Sequence, residues 1–249
     1  MIAALPMYDM APLQAANDAL WAGVRDALRA RSLAAPDALD RTTAMWDGWL
    51  APDLVLGQTC GMPYRTRLHD RVTLIGAADY GLPDTPPGHY HSVFVTRAGE
   101  ADTEAAAFAT RRFAYNQPES QSGWAAPQNW AAARGFRFRP ALETGGHRAS
   151  AQAVAEGRAD IAALDAVTFR FISLFEPDLA AELKIVGRTD NTPGLPFIAA
   201  KGADASATFA ALADGLASLG TATRAKLMIR GLIRIPAAEY CAVPTPPAP

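Results

Sequence analysis

The chain has 249 residues, half of them apolar, and a formal net charge of −2. This length suits one large domain or two of ordinary size, and the near-neutral charge disfavours a general surface for nucleic acid or anionic membranes. No run approaches the roughly 18 apolar residues of a membrane span, and the start MIAALPMYDM lacks the basic and long apolar segments of a secretory signal.

The hydrophobic pattern alternates short apolar runs with segments of helical period. In chain order it predicts strands at 1–8 (MIAALPMY), 53–59 (DLVLGQT), 72–78 (VTLIGAA), 92–98 (SVFVTRA), 111–116 (RRFAYN), 136–142 (FRFRPAL), 159–165 (ADIAALD), 183–189 (LKIVGRT) and 195–201 (LPFIAAK). It predicts helices at 12–31, from the serines near 120, at 147–157 and over most of the C-terminal residues, ahead of an extended or disordered tail at 243–249. Repeated strand–helix units indicate an α/β protein whose mostly parallel sheet has helices on both faces.

Polar segments follow several predicted strands, at the edge where α/β proteins bind ligands. LPMYD follows the first strand, GQTCGMP the second and NQPESQSG the strand at 111–116, while ETGGH precedes a helix and Asp165 ends a buried strand. These segments are expected to face one cleft, although any α/β protein carries polar residues at such ends.

The stretch NQPESQSGW places Ser120, Gln121 and Ser122 where a helix begins. A helix start leaves about four N–H groups without intrahelical partners and carries roughly half a positive charge. One serine is enough to cap it, whereas a Ser-x-Ser-Gly cluster offers more donors than capping uses. The residues alone therefore leave two interpretations, a helix cap or a site for a bound anion.

Three pieces of sequence, in order, carry a family resemblance. YHSVFVTR resembles a strand that crosses between two lobes, NQPESQSGW resembles a Ser-x-Ser-Gly anion motif, and GGHRASAQAVAEGRADIAALD resembles a glycine-glycine-histidine segment with its helix and following strand. Over most of residues 1–200 the chain resembles the substrate-binding components of phosphate, phosphite and phosphonate ABC transporters.

The resemblance implies an α/β, two-lobed fold of periplasmic binding protein type 2, with a ligand cleft between the lobes. Lobe one is expected to comprise residues 1–91 and 198–249, and lobe two residues 92–197. The chain is expected to cross near Ser92 and again near 192–197, because the extended segments SVFVTR and TPGLPFI bracket the serine motif.

The resemblance also implies the anion-binding side chains. Ser120, Gln121 and Ser122 would hold the anion's oxygens through hydroxyls and helix-start N–H groups, and His147 would donate another hydrogen bond. Without the resemblance, His147 is expected to cap or orient the turn after two glycines. Tyr90 matches an aromatic residue that family members place against the ligand.

Four further candidates lie in lobe one. Gln58 and Thr59 either complete hydrogen bonds at a strand end or donate to the ligand. Tyr8, at the end of the first strand, is either a cleft aromatic or a core residue. Trp46 is expected to replace another aromatic residue of the family.

Two features depart from the family pattern. Family members usually bind an amino group of the ligand through carboxylates, and those carboxylates have no clear counterpart here. Asp165, in contrast, stands where a relative has no acid. One interpretation is a direct ligand role, with the carboxylate pairing with a ligand cation or accepting a hydrogen bond from a protonated phosphonate. The other is capping of the following helix, since DAVTFRFISLF has a helical pattern.

Other reactive residue types lack the partners that chemistry requires. His89 and His91 lie two apart on a strand face but have no acidic or cysteine partner nearby, so no metal site is expected. Cys60 has no evident histidine partner and is expected to be a buried small residue, and two cysteines do not suggest a disulfide framework. Asn116 is expected to brace the turn rather than touch ligand.

Two classes of function are consistent with these residues. The favoured one is solute binding, in which the lobes close on a phosphonate, phosphite or phosphate for an ABC transporter; no catalytic residue, metal or cofactor is expected. The alternatives are an enzyme or cytosolic sensor on the same fold, or a binder of a sulfonate or small organic acid. The expected partners are the small anion and a transporter permease, without nucleic acid and with a monomeric chain. The location is periplasmic if an export signal was removed, and otherwise cytoplasmic.

Overall fold

The computed structural model describes residues 1–101 and 105–249 and divides them into two compact units. The first unit comprises Met1–Gly81 and Pro193–Cys241, and the second comprises Leu82–Thr192 and Ala242–Pro249. The sequence prediction had assigned 82–91 and 242–249 to the first lobe and 193–197 to the second, so the division of the chain differs from it at three segments.

Twelve strands and ten α-helices occur in the described residues. The strands are β1 (Ile2–Ala4), β2 (Leu54–Gln58), β3 (Val72–Asp79), β4 (His89–Tyr90), β5 (Ser92–Arg97), β6 (Phe113–Tyr115), β7 (Pro140–Glu143), β8 (Ile161–Asp165), β9 (Leu183–Arg188), β10 (Thr192–Pro193), β11 (Pro196–Ala200) and β12 (Gly231–Ile233). The helices are α1 (Gln14–Ala30), α2 (Met45–Trp49), α3 (Gly61–Pro63), α4 (Ala126–Ala132), α5 (His147–Ala155), α6 (Ala166–Phe175), α7 (Pro177–Ala181), α8 (Ala205–Ser218), α9 (Thr221–Leu227) and α10 (Ala237–Cys241). Wider π-helical turns at Tyr64–Leu68 and Gln121–Ala125 continue α3 and precede α4.

Each unit is built on a five-stranded mixed sheet. In the first unit the strand order is β1-β2-β11-β3-β12, with β1 and β2 parallel and β11 antiparallel to both of its neighbours. In the second unit the order is β7-β6-β8-β5-β9, with β6 parallel to β7 and β8, and β5 antiparallel to β8 and β9. The α/β class predicted from sequence is confirmed, but the mostly parallel sheet is wrong for the pairs that involve β5, β11 and β12.

Helices α1 and α8 pack closely in the first unit because two glycines meet at their contact. A Cβ atom added to Gly215 would lie 2.5 Å from Val24 Cγ2, and one added to Gly23 would lie 3.0 Å from Gly215 Cα. Such distances leave no room for a side chain, so the glycines set the spacing of the pair.

An aromatic core fills the second unit beneath its sheet. Phe113 stacks on Phe138 with ring centroids 4.5 Å apart, and Phe94 lies 4.7 Å from Trp130. Trp124, on the first turn of the helix that follows the serine motif, packs into the same cluster. Packing of these rings fixes where that helix begins.

Two predicted strands end earlier or start later than expected, and two short strands were not predicted. The first strand stops at Ala4 because Pro6, which lacks an N–H, begins a 3₁₀ turn at Pro6–Tyr8. The strand predicted at 136–142 begins only at Pro140, because the Gln128 side chain satisfies the Phe138 backbone at both its N–H and its carbonyl. The short strands β4 and β12 were not predicted.

The proline-rich tail has no regular secondary structure, yet it is held against the second unit. Trp124 Nε1 donates to the Pro247 carbonyl at 2.9 Å, and Asn129 Nδ2 donates to the Pro244 carbonyl at 2.9 Å. Proline residues have no N–H to pair with a neighbouring strand but keep their carbonyl acceptors. This explains why side-chain donors rather than a strand hold this segment.

Candidate functional site

A widened helix start forms the centre of the candidate site in the second unit. Ser120 has an extended backbone and its Oγ accepts a hydrogen bond from the Gly123 N–H at 2.9 Å. Its carbonyl accepts from the Ala125 N–H at 2.9 Å, five residues on, which makes the first turn a π turn. Ser120 therefore caps the helix, and the N–H of Ser122 lies in the first turn, where helices leave donors without intrahelical partners.

Ser122 brings this helix start together with His147. The Ser122 Oγ lies 2.7 Å from His147 Nε2 and 3.5 Å from Ser120 Oγ. From the other side, Ser92 Oγ donates to the Ser122 carbonyl at 2.8 Å. Two hydroxyls and an imidazole thus converge on one point, and strand β5 fixes the backbone beneath them.

His147 begins α5 after a glycine pair that makes the turn possible. Gly145 adopts a φ of +82°, which favours glycine, and Gly146 is extended. Burial lowers the pKa of His147 to about 4, with the Ala163 carbonyl opposing the shift. The ring is therefore neutral at pH 7, although a bound anion would favour its protonated form.

Asn116 is a member of this cluster that sequence reasoning assigned only to the turn. Its backbone carbonyl accepts from the Gly145 N–H at 2.8 Å, which ties it to the glycine turn before α5. In addition, its Nδ2 lies 3.5 Å from His147 Nε2. Its Oδ1 rests on Gly123, where a Cβ atom would come within 1.9 Å, so the glycine of the motif makes space for this side chain. Only the tertiary approach of the two segments reveals the contact.

Asp165 ends β8 and caps α6, as one of its two interpretations predicted. Its Oδ1 accepts from the N–H groups of Val167 at 2.7 Å and Thr168 at 3.0 Å, and its side chain is buried. Asp165 also pairs with Ser92 in the register of β8 and β5. A ligand role for this carboxylate stays a prediction.

Gln121 and Tyr90 are both buried in the second unit, at 1% and 2% exposure. Gln121 is the first residue of the π turn, and Tyr90 ends β4 two residues before β5 starts. Their positions are compatible with the predicted ligand contacts, which remain predictions.

In the first unit, one side-chain atom each of Gln58 and Thr59, at the end of β2, has no hydrogen-bond partner among the described residues. The Thr59 N–H donates to the Pro196 carbonyl at 3.0 Å, and the Gln58 carbonyl accepts from Trp49 Nε1 at 3.0 Å. By contrast, Thr59 Oγ1 and Gln58 Nε2 are buried and bond to no residue in the described ranges. Buried polar groups are usually satisfied, so these two are suited to bind a ligand.

The two aromatic candidates of the first unit pack on other side chains. Tyr8 is buried edge-on against Tyr80, with ring centroids 5.2 Å apart. Trp46 packs edge-on against Trp49 at 5.1 Å, and the Arg67 guanidinium lies 3.8 Å from the Trp46 ring centroid. These contacts give both rings a structural role, and ligand contact by either remains a prediction.

Metal-ligating and thiol residues form no cluster in the part of the chain that the structure describes. No group of three or more His, Cys, Asp and Glu side chains is placed there to hold a metal ion. His91 Nδ1 lies 3.1 Å from Thr85 Oγ1, and His89 Nδ1 lies 3.2 Å from the Pro87 carbonyl. Cys60 and Cys241 are both thiols.

No described helix combines the length and apolar character needed to cross a lipid bilayer. Residues 56–239 match the family profile described as "ABC transporter, phosphonate, periplasmic substrate-binding protein". No curated protein matches the chain.

Solved structures share the fold at low sequence identity. PhnD1 from Prochlorococcus marinus MIT 9301, in complex with methylphosphonate, has a TM-score of 0.71 at 17% identity over 96% of this chain and 93% of its own. XAC2383 from Xanthomonas citri, bound to ATP, has a TM-score of 0.71 at 14% identity over 97% and 95%. A phosphonate-transporter binding protein, PA3383 from Pseudomonas aeruginosa, has a TM-score of 0.65 at 16% identity over 93% and 80%.

Proposed function

The chain belongs to the family of periplasmic substrate-binding proteins of phosphonate ABC transporters, and we propose that it captures a small tetrahedral oxyanion of the phosphonate, phosphite or phosphate type. The family binds small anionic ligands and works with ABC transporter components, typically in the periplasm. We propose that this chain also acts in the periplasm, that its partner is a transporter permease and that it is monomeric.

The observation that carries the proposal is the convergence of Ser120, Ser122 and His147 at the start of the helix. Ser122 Oγ lies 2.7 Å from the imidazole and 3.5 Å from the second hydroxyl. Neutral hydroxyls and helix-start N–H groups hold an anion without a full countercharge. Hydrogen bonds to a charged ligand contribute about 1.5–3 kcal/mol each, so a few of them give useful affinity.

The unsatisfied polar atoms of the first unit support a ligand role for Gln58 and Thr59 as well. Gln58 Nε2 is a donor and Thr59 Oγ1 both donates and accepts, so each suits an oxyanion. The methylphosphonate complex of PhnD1, which shares the fold, is compatible with a phosphorus oxyanion as the ligand class.

The serine–histidine contact also resembles a nucleophile beside its general base. Two features favour binding over catalysis here. The lowered pKa of His147, about 4, makes the ring a weak base at neutral pH. The buried carboxylate of Asp165 accepts from N–H groups of α6 through its Oδ1, so it caps that helix instead of orienting the histidine.

Calorimetric titration tests the proposal directly. The wild-type chain is titrated with methylphosphonate, phosphite, phosphate, sulfate and methanesulfonate, beside Ser122→Ala and the matched control Ser173→Ala. Ser173 is an exposed serine on α6 that bonds only the Phe169 carbonyl among the described contacts. Binding of a phosphorus oxyanion that is weakened in Ser122→Ala but not in the control supports the proposal, and binding of none of the phosphorus oxyanions would overturn it.

A further inference from the structure

The His147 ring has two polar neighbours at one nitrogen. Ser122 Oγ lies 2.7 Å from Nε2, and Asn116 Nδ2 lies 3.5 Å from it. An amide nitrogen only donates, so this arrangement suits a ring whose Nε2 carries no proton and accepts. A ring with a proton on Nε2 would place two donors face to face.

An accepting Nε2 has a consequence for Ser122. A serine hydroxyl has one proton, and here that proton is donated to the imidazole. The Ser120 Oγ accepts from the Gly123 N–H and can direct its own proton elsewhere. The Ser122 hydroxyl, in contrast, cannot donate to an oxyanion while it donates to His147.

Release of the Ser122 proton requires a proton on Nε2. A change of tautomer would supply one only by removing the proton from Nδ1. Nδ1 is buried and makes no hydrogen bond of standard geometry to the described residues, while the Ala163 backbone favours the protonated ring. Because Nε2 faces Ser122 and Asn116, we assign the Ala163 carbonyl to Nδ1. A bare Nδ1 in that place would face an acceptor, so uptake of a second proton is the favourable route.

Asn116 must then present its oxygen instead of its nitrogen. A half-turn of the amide about its terminal torsion exchanges Nδ2 and Oδ1, which are nearly equal in size. Oδ1 now rests on Gly123 and bonds to no residue that the structure describes, so the turn breaks no hydrogen bond at that atom. A Cβ at this glycine would lie 1.9 Å from Oδ1, and the missing side chain leaves the amide room.

We propose that Asn116 is a positioning residue whose amide turns over when the oxyanion binds, so that His147 takes up a proton and the Ser122 hydroxyl donates to the ligand. The inference rests on the proposed function, because the bound anion supplies the charge that favours an imidazolium. The proton comes from solvent, or from the ligand when that ligand enters as a monoanion. No covalent bond other than those of the proton changes.

Several charged groups lie on α5 and on the elements that pack against it. Arg148 pairs with Glu176 after α6, Arg97 of β5 pairs with Glu100, and Tyr115 of β6 donates to Glu143. Asp165 of β8 accepts from α6 N–H groups, and Arg170 on α6, Asp178 on α7 and Lys184 and Arg188 on β9 complete the set. Burial is the main cause that lowers the pKa of His147, and no charged side chain is among the causes.

Proton NMR of protein labelled at histidine ¹³Cε1 tests the inference. The chain has four histidines, and His147→Gln identifies the signal of interest. Calorimetry first establishes which of methylphosphonate, phosphite and inorganic phosphate binds. In the wild type we expect a neutral His147 at pH 7 without ligand and an imidazolium with saturating ligand, its pKa raised above about 7 by the anion.

Variants at position 116 separate positioning from simple packing. Asn116→Leu keeps the shape but offers no acceptor, so we expect the pKa of bound His147 to fall by about one or more and the affinity at pH 7 to fall about tenfold. Asn116→Asp offers only acceptors, so it should raise the pKa of His147 already in the absence of ligand and restore the imidazolium in the complex. Gly123→Ala should act like Asn116→Leu by displacing the amide.

The outcomes are distinct for the two proposals. A bound wild type whose His147 stays neutral at pH 7, or an Asn116→Leu complex that titrates like the wild type, would overturn the inference and leave the proposed function intact. If none of the three phosphorus oxyanions binds, both proposals fall. If Asn116→Leu does not fold, an unchanged ligand-free pKa of His147 in Asn116→Asp would overturn the inference.

Discussion

The hydroxyl of Ser122 lies 2.7 Å from Nε2 of His147, although 25 residues separate them in the chain. The contact joins the first turn of one helix to the first residue of another, with the Ser122 carbonyl fixed by Ser92. Both residues stand at helix starts, where the N–H dipoles favour negative charge, so we expect a bound anion to alter this contact.

Replacing Ser122 by alanine is expected to weaken binding of the phosphorus oxyanion by about tenfold or more. The variant removes one hydroxyl donor to a charged ligand, worth about 1.5–3 kcal/mol. Ser120→Ala is expected to cost about 1 kcal/mol of stability besides affinity, because its Oγ caps the helix. Calorimetry and urea unfolding measure the two effects, with Ser173→Ala as control. A Ser120→Ala, Ser122→Ala double variant that loses stability at full affinity would make both serines purely structural.

Stability is expected to fall as the pH drops from about 6.5 to about 4 because of His147. Its pKa is lowered in the folded state to about 4 by burial, so between these values the unfolded chain binds the extra proton. The contribution of His147 to the free energy of unfolding is fully present above pH 6.5. At pH 4 this free energy is lower by roughly 3 kcal/mol. Unfolding by urea across this range is the measurement. His147→Gln should flatten the profile there, and an equally steep profile in that variant would assign it to other groups.

Asp165 is tested by two substitutions with different consequences. Asp165→Ala should lower the free energy of unfolding by about 1–2 kcal/mol, because two N–H groups of α6 lose their acceptor. Asp165→Asn keeps an acceptor and should retain the stability, since asparagine caps as well as aspartate does. We expect Asp165→Asn to alter ligand preference or the pH dependence of binding. Unchanged affinity and selectivity between pH 5 and 9 would leave Asp165 with capping alone.

Thr59→Val is expected to separate binding from stability. The Thr59 hydroxyl is buried without a partner among the described residues, so its removal should leave stability unchanged or raise it by about 1 kcal/mol. Affinity should fall about tenfold if the hydroxyl bonds the ligand. Thr208→Val, at a buried threonine of α8 in the same unit, controls for the change of residue type. Full affinity in Thr59→Val would remove this residue from the site.

The close pair of helices in the first unit gives a test of the fold that leaves the ligand aside. Gly215→Ala should lower the free energy of unfolding by about 1–3 kcal/mol, because the new Cβ would lie 2.5 Å from Val24 Cγ2 and 2.7 Å from its nitrogen. Gly220→Ala, where a Cβ meets no atom within 4 Å, is the matched control. Equal unfolding midpoints for the two variants would show that the helices separate without cost.

Local signals indicated the serine cluster as a helix cap or an anion site and gave capping as one of two roles for Asp165, whereas the anion-binding role of His147 came only from the family resemblance. Serines before a helical pattern, paired glycines before a histidine and an acid at the end of a buried run are visible in the chain itself. The resemblance assigned Ser122 and His147 to the same ligand, but their direct contact is given only by the structure. Asn116 was only assigned to its turn, since nothing local indicates that its amide approaches an imidazole 31 residues away.

The errors in the fold also have physical causes. The alternating pattern at 136–142 predicts a strand, but Phe138 turns into the aromatic core and Gln128 replaces the strand partner of its backbone. Strand β12 has only three residues in a stretch of helical composition, so no periodicity indicates it. The antiparallel pairing of β5 and β11 depends on the return path of the chain, which a strand–helix pattern does not encode.

A crystal structure with the tightest-binding phosphorus oxyanion tests the central claim most directly. The account predicts that one ligand oxygen lies within about 3 Å of Ser122 Oγ, and another within hydrogen-bond distance of the N–H groups that begin the helix at Gln121–Ala125. The Asn116 side-chain oxygen should then face His147. A ligand bound elsewhere, with the Ser122 hydroxyl still 2.7 Å from His147 and no oxyanion beside it, would contradict the account.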